Sequence, residues 1–320
     1  MVPATRESTP LTGPVLWSGP MPYHSGMPRL ALFPEILREA FGSRTLPREP
    51  EPDLVMDGPD QVLAFAEAGR SDGVMAASYL FNSARISQVI QGCRSVVDLG
   101  CGPATQLAQV AGLHPDVEFV GVDLSAAMLA NAEAHVRELG LTNVRFIHGD
   151  ITEIPGVADR SSDAVISTLA LHHLPTREHL RQCFRQIQRV LKPGGAVYVA
   201  DLGRLKSLKS ILYFAYMNAK HQPHIFSLDY ERSLRAAFLA TDFDALCREY
   251  LPDGMRVYTP YALPILILAK TADRPIPSQL RTQLREMRRK LNSRYRRDLD
   301  DIRRFFRWGG LGDDPFRPAR

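Results

Sequence analysis

Val96-Val97-Asp98-Leu99-Gly100-Cys101-Gly102-Pro103-Ala104-Thr105 is the stretch that decides the fold. Two β-branched residues run into an acid, two glycines spaced by one residue follow, and a helical segment opens. A chain reads this way where a strand ends, turns sharply and lays its backbone against a ligand. Glycine is needed there because a Cβ would obstruct both the turn and the approach. The N–H groups of the first helical turn then point over the edge of the sheet.

Outward from that turn, two periods alternate. Short apolar runs over 95–99, 117–122, 144–147, 163–168 and 196–200 read as strands. Helical spacing covers 73–90, 105–111, 125–139 and 175–191, with Ser125 a cap and Gly112 and Gly140 as stops. Strands alternating with longer helices predict an α/β, doubly wound, mostly parallel sheet. Strands covered on both faces account for the unbroken Val, Ile, Leu and Ala in them. Lys192-Pro193-Gly194-Gly195 reads as the turn before the fifth strand. Two closely spaced strands over 255–259 and 263–269 predict an antiparallel hairpin, making seven strands with that hairpin at the edge.

Three segments stand outside this rhythm. Residues 1–59 are rich in Pro and Gly and read as an arm or lid, in which Trp17, Tyr23 and His24 either cover a substrate or anchor the arm. A short helix is expected over 61–68. Residues 60–270 form the expected main domain, and 203–240 read as a helical, aromatic-rich insertion between the fifth strand and a helix over 241–250. Residues 271–320 hold fourteen Lys and Arg against seven Asp and Glu, a net of +7, which leaves −3 for the rest of a chain of net +4. There Leu280, Leu284, Met287, Leu291, Tyr295, Leu299, Ile302 and Phe306 make one apolar stripe, predicting a single long helix with a basic opposite face. Such a helix packs on the body or on a second subunit as a homodimer contact, or holds RNA or an anionic membrane.

With 320 residues, 45% of them apolar, the chain can bury a substantial core. Cys93, Cys101, Cys183 and Cys247 form no CxxC pair and no metal-ligand spacing, so they read as reduced thiols in a cytoplasmic protein with no metal. The residues before Gly13 do not resemble a secretory signal. The longest strongly apolar run covers 261–269, short of the ~20 residues a bilayer span needs.

Asp123 ends the second strand, 21 residues beyond Gly102, where a carboxylate can accept both hydroxyls of a ribose; alternatively it caps the helix at Ser125. Asp150 follows the third strand in His148-Gly149-Asp150-Ile151, placed to accept an adenine amine with Ile151 against the ring, or else as a loop acid. Acids at the ends of three adjacent strands converge on the edge where such sheets bind ligands. A nicotinamide site would want a third glycine at position 105, where Thr105 stands.

With these residues in place, the chain resembles the class I S-adenosylmethionine-dependent methyltransferases, in the small-molecule branch that contains the ubiquinone and menaquinone C-methyltransferases. Asp98, Gly100 and Gly102 occupy the fixed positions of the first motif, with Ala104 where many members have a further glycine. Val120-Gly121-Val122-Asp123-Leu124-Ser125 is similar to the ribose segment, and His148-Gly149-Asp150 to the adenine segment. The run 163–168 with Leu169-Ala170-Leu171-His172-His173-Leu174, and Leu191-Lys192-Pro193-Gly194-Gly195, look like the later motifs. The resemblance covers about 73–270. It implies a Rossmann-like fold and S-adenosyl-L-methionine held by Asp98, Gly100, Cys101, Gly102, Asp123, Leu124, Met128, Asp150, Ile151 and Thr168. It implies methyl transfer to an oxygen or carbon of a small-molecule acceptor. His172 and His173 then stand where a base would help, or simply bond backbone. Tyr79, Tyr213, Tyr216 and His221 are candidates for the acceptor pocket. Ser167-Thr168-Leu169-Ala170 stands where amine-methylating members carry Asn/Asp-Pro-Pro-aromatic, which argues against base or glutamine methylation. An RNA or protein methyltransferase using the basic helix, and a non-catalytic S-adenosylmethionine-binding protein, are the alternatives.

Overall fold

In the computed structural model the described residues are 30–43, 45–52, 58, 64, 67–69 and 72–317. Most of the helix expected over 61–68, and Trp17, Tyr23 and His24, lie outside them. Seven strands form one sheet: β1 (Ser95–Leu99), β2 (Glu118–Asp123), β3 (Val144–His148), β4 (Ser162–Thr168), β5 (Leu191–Leu202), β6 (Arg256–Tyr258) and β7 (Leu266–Lys270). Their order is β3-β2-β1-β4-β5-β7-β6. The first five are parallel, β7 runs antiparallel to β5, and β6 antiparallel to β7. The chain moves outward from β1 through β2 to β3, then returns to the other side of β1 for β4. A crevice therefore opens beyond the carboxyl ends of β1 and β4, where ligands bind in such sheets.

Alternate strand residues face opposite layers. Val96 joins Phe119, Ala164, Ile166 and Tyr198 under α2 (Ala76–Val89), α3 (Thr105–Leu113) and α4 (Ala126–Glu138). Val97 and Leu99 join Val120, Val165 and Val197 under α5 (Arg177–Val190) and α8 (Ala240–Tyr250). This two-residue alternation, repeated on adjacent strands, makes a three-layer α/β fold. Ser125 and Thr176 cap α4 and α5 by accepting from the N–H groups of Met128 and His179. The 203–240 segment is helical, as α6 (Leu208–Tyr216) and α7 (His224–Ala236), and packs a separate apolar cluster with Leu202, Leu263 and Phe305. It is joined there by α1 (Phe33–Phe41), whose Glu39 accepts from the N–H of Lys206 at 2.7 Å.

Two sequence expectations need correction. The Pro193-Gly194-Gly195 turn lies within β5: Leu191 pairs with Ser162 and Ala196 with Ala164, so the chain bulges between them, with Gly194 at φ +71°. The long C-terminal helix is two helices, α9 (Ser278–Lys290) and α10 (Ser293–Trp308). The break is made by Asn292, whose side chain accepts from the N–H of Tyr295 at 2.9 Å and so caps α10. The apolar stripe is spent within the chain. Leu284, Leu299 and Phe306 are buried in the core beside α2, and Phe306 stacks on Phe81 with ring centroids 5.1 Å apart. On the polar side, Arg288 and Arg303 pair with Asp300, Arg304 with Asp301, and Arg307 with Asp314. No helix among the described residues is long and apolar enough to cross a membrane.

Because Phe306 is fully enclosed, Phe306→Ala is expected to cost ~3–5 kcal/mol through lost burial and a residual cavity. Urea unfolding followed by circular dichroism measures it; a loss below 1 kcal/mol would show that α10 is only loosely attached.

Candidate active site

The crevice is built around the turn after β1. Gly100 sits at φ +72°, and a Cβ on it would fall 2.3 Å from the Cβ of Ala170. Its N–H and that of Cys101 both donate to the carbonyl of Val122, at 2.8 and 3.2 Å. The turn is thus latched to the end of β2. The next residue in β2 completes the latch. Asp123 accepts from the N–H of Gly102 at 2.7 Å through Oδ2 and from that of Ser125 at 2.9 Å through Oδ1. Each oxygen retains acceptor capacity toward the crevice. Asp150 is held in the same manner, its Oδ1 accepting from both the N–H and hydroxyl of Thr152 at 2.7 Å.

The crevice is lined by Tyr79, Gly100, Cys101, Gly102, Asp123, Leu124, Met128, Asp150, Ile151 and Thr168, among others. The nine cofactor residues expected from sequence other than Asp98 all lie on its wall. Asp98 is buried beneath it, and its Oδ1 has no hydrogen-bond partner. Burial, then the charge of Asp123, raises its carboxyl to about 7. Burial also raises Asp123, against the pull of its backbone hydrogen bonds. Burial and these two acids raise the Cys101 thiol well above its usual range, so it stays protonated and is no nucleophile. Among the described residues no lysine or arginine lines the crevice. A ligand that carries phosphate would find acids and no counter-charge; a cationic nucleoside would find the reverse.

A second cavity, of about 240 Å³, adjoins the first, and Leu169 and His173 line both. Leu169 is held in the left-handed region at φ +54°, a strain that a non-glycine residue bears where the surrounding structure forces it. His172 and His173 follow in a short 3-10 turn (Leu171–His173) with their rings 4.3 Å apart. The buried His172 places Nδ1 2.6 Å from Oδ1 of Asp201, while its N–H donates to Oδ2 at 3.0 Å. Burial lowers the affinity of His172 for a proton, but the charge and hydrogen bond of Asp201 outweigh it and the net shift is upward.

Glu51 arrives from the N-terminal segment. Its Oε2 lies 3.2 Å from Nδ1 of His173 and its Oε1 3.9 Å from Nε2 of His172. Burial works against this carboxylate, but the hydrogen bond and charge of His173 bring it down to about 2. The three ligand atoms lie within 4.8 Å of one another, a spacing a divalent cation could also bridge. Arg48 fixes the segment, donating to the carbonyls of His172, Leu174, Pro175 and Ala236 at 2.5–2.9 Å, with its guanidinium 4.0 Å over the Phe238 ring.

Of the acceptor candidates, Tyr79 lines the first cavity, but Tyr213, Tyr216 and His221 line neither. The reason is helical phase. Phe214 and Met217 turn one side of α6 to the second cavity, so Tyr213 and Tyr216 face elsewhere; Tyr216 donates to Glu231 at 2.9 Å, and His221 is exposed. Sequence reasoning assigned no role to Glu51, Arg48, Leu169 or Asp201. The two N-terminal residues carry no spacing signal, being more than 120 residues from the histidines they meet.

Comparison with known proteins agrees with this geometry. Residues 96–195 match the family model of a methyltransferase domain. Over these residues the chain is similar to a methyltransferase domain. Over 104 residues this domain is 42% identical to trans-aconitate 2-methyltransferase of Deinococcus radiodurans, covering 32% of this chain and 36% of that one. Over 138 residues it is 32% identical to demethylmenaquinone methyltransferase of Bacillus cytotoxicus, covering 42% of this chain and 56% of that one. The chain thus spans between about a third and just over half of these relatives. The plantazolicin methyltransferase BpumL shares the fold at a TM-score of 0.51 and 14% identity, over 68% of this chain and 91% of its own. A protein of Methanococcus maripaludis does so at 0.52 and 18%, over 72% of this chain and 98% of its own. At such identities the likeness is one of fold, and it matches the seven-stranded sheet.

The raised Asp98 carboxyl in the methyltransferase domain makes stability depend on pH. Below 3.8, its ordinary value, both states hold the proton and nothing is lost. Between 3.8 and about 7 the unfolded chain releases it and the ligand-free fold does not, so stability falls as pH rises, and the full cost stands above 7. Asp98→Asn is expected to stabilise the ligand-free protein by ~1–3 kcal/mol at pH 8 and by much less at pH 4. Denaturant titration at the two pH values checks this; equal effects at both would place Asp98 in its usual range.

Proposed function

We propose that the chain is a cytoplasmic S-adenosyl-L-methionine-dependent methyltransferase acting on an oxygen or carbon of a small molecule. The observation that carries this is the acid-lined crevice over the Gly100–Gly102 turn, without a lysine or arginine among the described residues, and with the orphaned Asp98 oxygen beneath it. Those residues fit the cofactor on three counts. The turn has room for backbone approach only because Gly100 lacks a Cβ, Asp123 and Asp150 keep lone pairs for ribose and adenine, and the uncompensated acids suit a sulfonium and an ammonium. Phosphate-bearing dinucleotides fit poorly for the same reason. The methyltransferase relatives support the reaction, and their printed acceptors, trans-aconitate, arsenite and demethylmenaquinone, differ too much to fix the substrate. The free and buried cysteines support a reducing compartment.

When bound, the cofactor supplies a methyl group already activated by its sulfonium. The chain's own work is alignment and exclusion of water, which in favourable systems accounts for ~7–11 kcal/mol of a barrier. Leu169 and His173 form the partition at which the two cavities meet. His173 then acts as the proton acceptor for an acidic acceptor group. Glu51, ionised throughout the working range, places Oε2 3.2 Å from Nδ1 and favours the charged ring that forms. His172 and Asp201 position that pair from behind. The 203–240 insertion and the N-terminal segment wall the second cavity and determine what enters it.

Calorimetry with S-adenosylmethionine is expected to show saturable binding that Asp123→Ala weakens by ~1–3 kcal/mol, and labelled cofactor with metabolite extract should give a labelled small product. Binding of NAD instead, or label only in macromolecules, overturns the reading. His173→Ala is expected to lower kcat by ~10²-fold or more with cofactor affinity retained, and Glu51→Gln by less. Dialysis against EDTA should leave transfer intact; a loss restored by a divalent cation would make Glu51, His172 and His173 a metal site.

A further inference from the structure

Glu51, His172 and His173 come from two distant parts of the chain, yet one oxygen or nitrogen of each lies within 4.8 Å of the other two. All three side chains are largely enclosed. Oε2 of Glu51 is 3.2 Å from Nδ1 of His173, and Oε1 is 3.9 Å from Nε2 of His172. Ligand atoms at ~2.0–2.1 Å around a tetrahedral zinc ion stand about 3.4 Å apart, so these two separations bracket the spacing such an ion needs. Nδ1 of His173 is enclosed without a partner in a well-aligned hydrogen bond, which is unfavourable for a buried polar atom. Such a gap arises where two atoms face a third point rather than each other.

The surroundings prepare the same atoms. Nδ1 of His172 is 2.6 Å from Oδ1 of Asp201, whose Oδ2 accepts the backbone N–H of His172. A carboxylate there keeps the ring proton of a neutral His172 on Nδ1 and turns the Nε2 lone pair toward Glu51, which is how metal-bound histidines are held from behind. Oε1 of Glu51 also accepts from the Ser233 hydroxyl at 2.8 Å, and Arg48 pins the segment that delivers Glu51. Two carboxylates, Glu51 and Asp201, stand with the one guanidinium of Arg48 around the histidines, an excess of negative charge. Two imidazoles and one carboxylate suit zinc and its neighbours among the transition ions, whereas magnesium and calcium want more oxygens. Three protein ligands leave a further position, toward the second cavity that both histidines line.

We propose that Glu51, His172 and His173 form a zinc-class metal site that, when filled, switches methyl transfer off. The binding stands on the geometry alone; the switch rests on the reading of His173 as proton acceptor. A neutral imidazole carries one proton and one free nitrogen lone pair. An ion on Nδ1 takes that lone pair and leaves the proton on Nε2. His173 then has nothing with which to accept a proton, at the partition where the two cavities meet. The transfer itself needs no metal, so chelation leaves it active and zinc arrests it.

The test uses the full chain, stripped with EDTA and dialysed, then titrated calorimetrically with Zn²⁺ and, as the contrast, Mg²⁺. Saturable binding of one Zn²⁺ per chain, at least tenfold tighter than Mg²⁺, is expected. Co²⁺ reports the ligands, and its weak visible absorption in water should intensify as the ion enters a low-coordinate nitrogen site. Glu51→Gln and His172→Ala should each weaken Zn²⁺ at least tenfold, and Asp201→Asn by ~10–100-fold. Label transferred from S-adenosylmethionine to metabolite extract should fall at least tenfold when Zn²⁺ saturates the site and return with excess EDTA. Mg²⁺ binding as tight as Zn²⁺, an unchanged cobalt spectrum, or Zn²⁺ affinity indifferent to Glu51 and His172 overturns the site. Transfer that continues with the site saturated, or that EDTA abolishes and Zn²⁺ restores, overturns the switch. The cobalt spectrum is read in the unmodified chain, so a variant that fails to fold does not remove the test. Failure of S-adenosylhomocysteine to bind overturns the methyl-transfer reading instead, and the Zn²⁺ titration still decides the site.

Discussion

Everything at the carboxyl edge of the sheet depends on a buried carboxylate with a second one close by and, among the described residues, no lysine or arginine at the crevice. Asp98 lies under the glycine turn and Asp123 beside it, the latter accepting the N–H of Gly102. Burying an acid is unfavourable, and the rise of Asp98 to about 7, caused by burial first and the charge of Asp123 second, expresses that cost. The fold tolerates it because the surrounding backbone leaves no other arrangement: Gly100 is pinned to Val122 and pressed against Ala170. The strain serves as preorganisation. A cationic ligand relieves a repulsion that exists before it arrives, so part of its affinity is already present in the empty fold.

The same edge divides into a polar crevice and an apolar chamber, and the division is made by the strained Leu169 and by His173. A donor that needs acids and an acceptor that needs apolar walls cannot share one pocket without compromise. Two cavities joined at one residue pair meet both needs. The histidine at the joint is not left to orient itself. Glu51 lies 3.2 Å from its Nδ1, Arg48 ties the Glu51 segment to three carbonyls of the histidine loop, and Asp201 locks the neighbouring ring. Removing the N-terminal segment would therefore loosen a histidine that sits on a different part of the chain.

What was legible in the sequence follows from range. The strands, the turn at Gly100 and the acids after each strand are local patterns, set by the two-residue period and by glycine's lack of a Cβ, so they could be read directly. Strand order was not among those local patterns; it depends on pairings between distant strands, which the structure supplies as β3-β2-β1-β4-β5-β7-β6. Glu51 and Arg48 were invisible, since nothing in their neighbours marks them and their partners lie far along the chain. Tyr213, Tyr216 and His221 line neither cavity for a subtler reason: an aromatic-rich helix shows that one face will be buried but not which face meets a cavity. The C-terminal stripe reads as continuous because its apolar spacing survives the break at Asn292; only the capping hydrogen bond to Tyr295 reveals two helices.

Those two helices alter how the chemistry is bounded. Asp298, Asp301, Ile302 and Phe305 of α10 stand on the wall of the second cavity, although they lie beyond the matched domain, which ends at 195. Ile302 and Phe305 bring apolar surface to the cavity, while Phe306, one step round the helix, anchors it against Phe81. The arginines fall on the remaining arc, where they neutralise the interleaved acids. The basic charge that dominates the sequence of this segment thus lies on the outer side, partly neutralised by these ion pairs. On the inner side the helix closes a cavity that the sheet and the 203–240 insertion leave open.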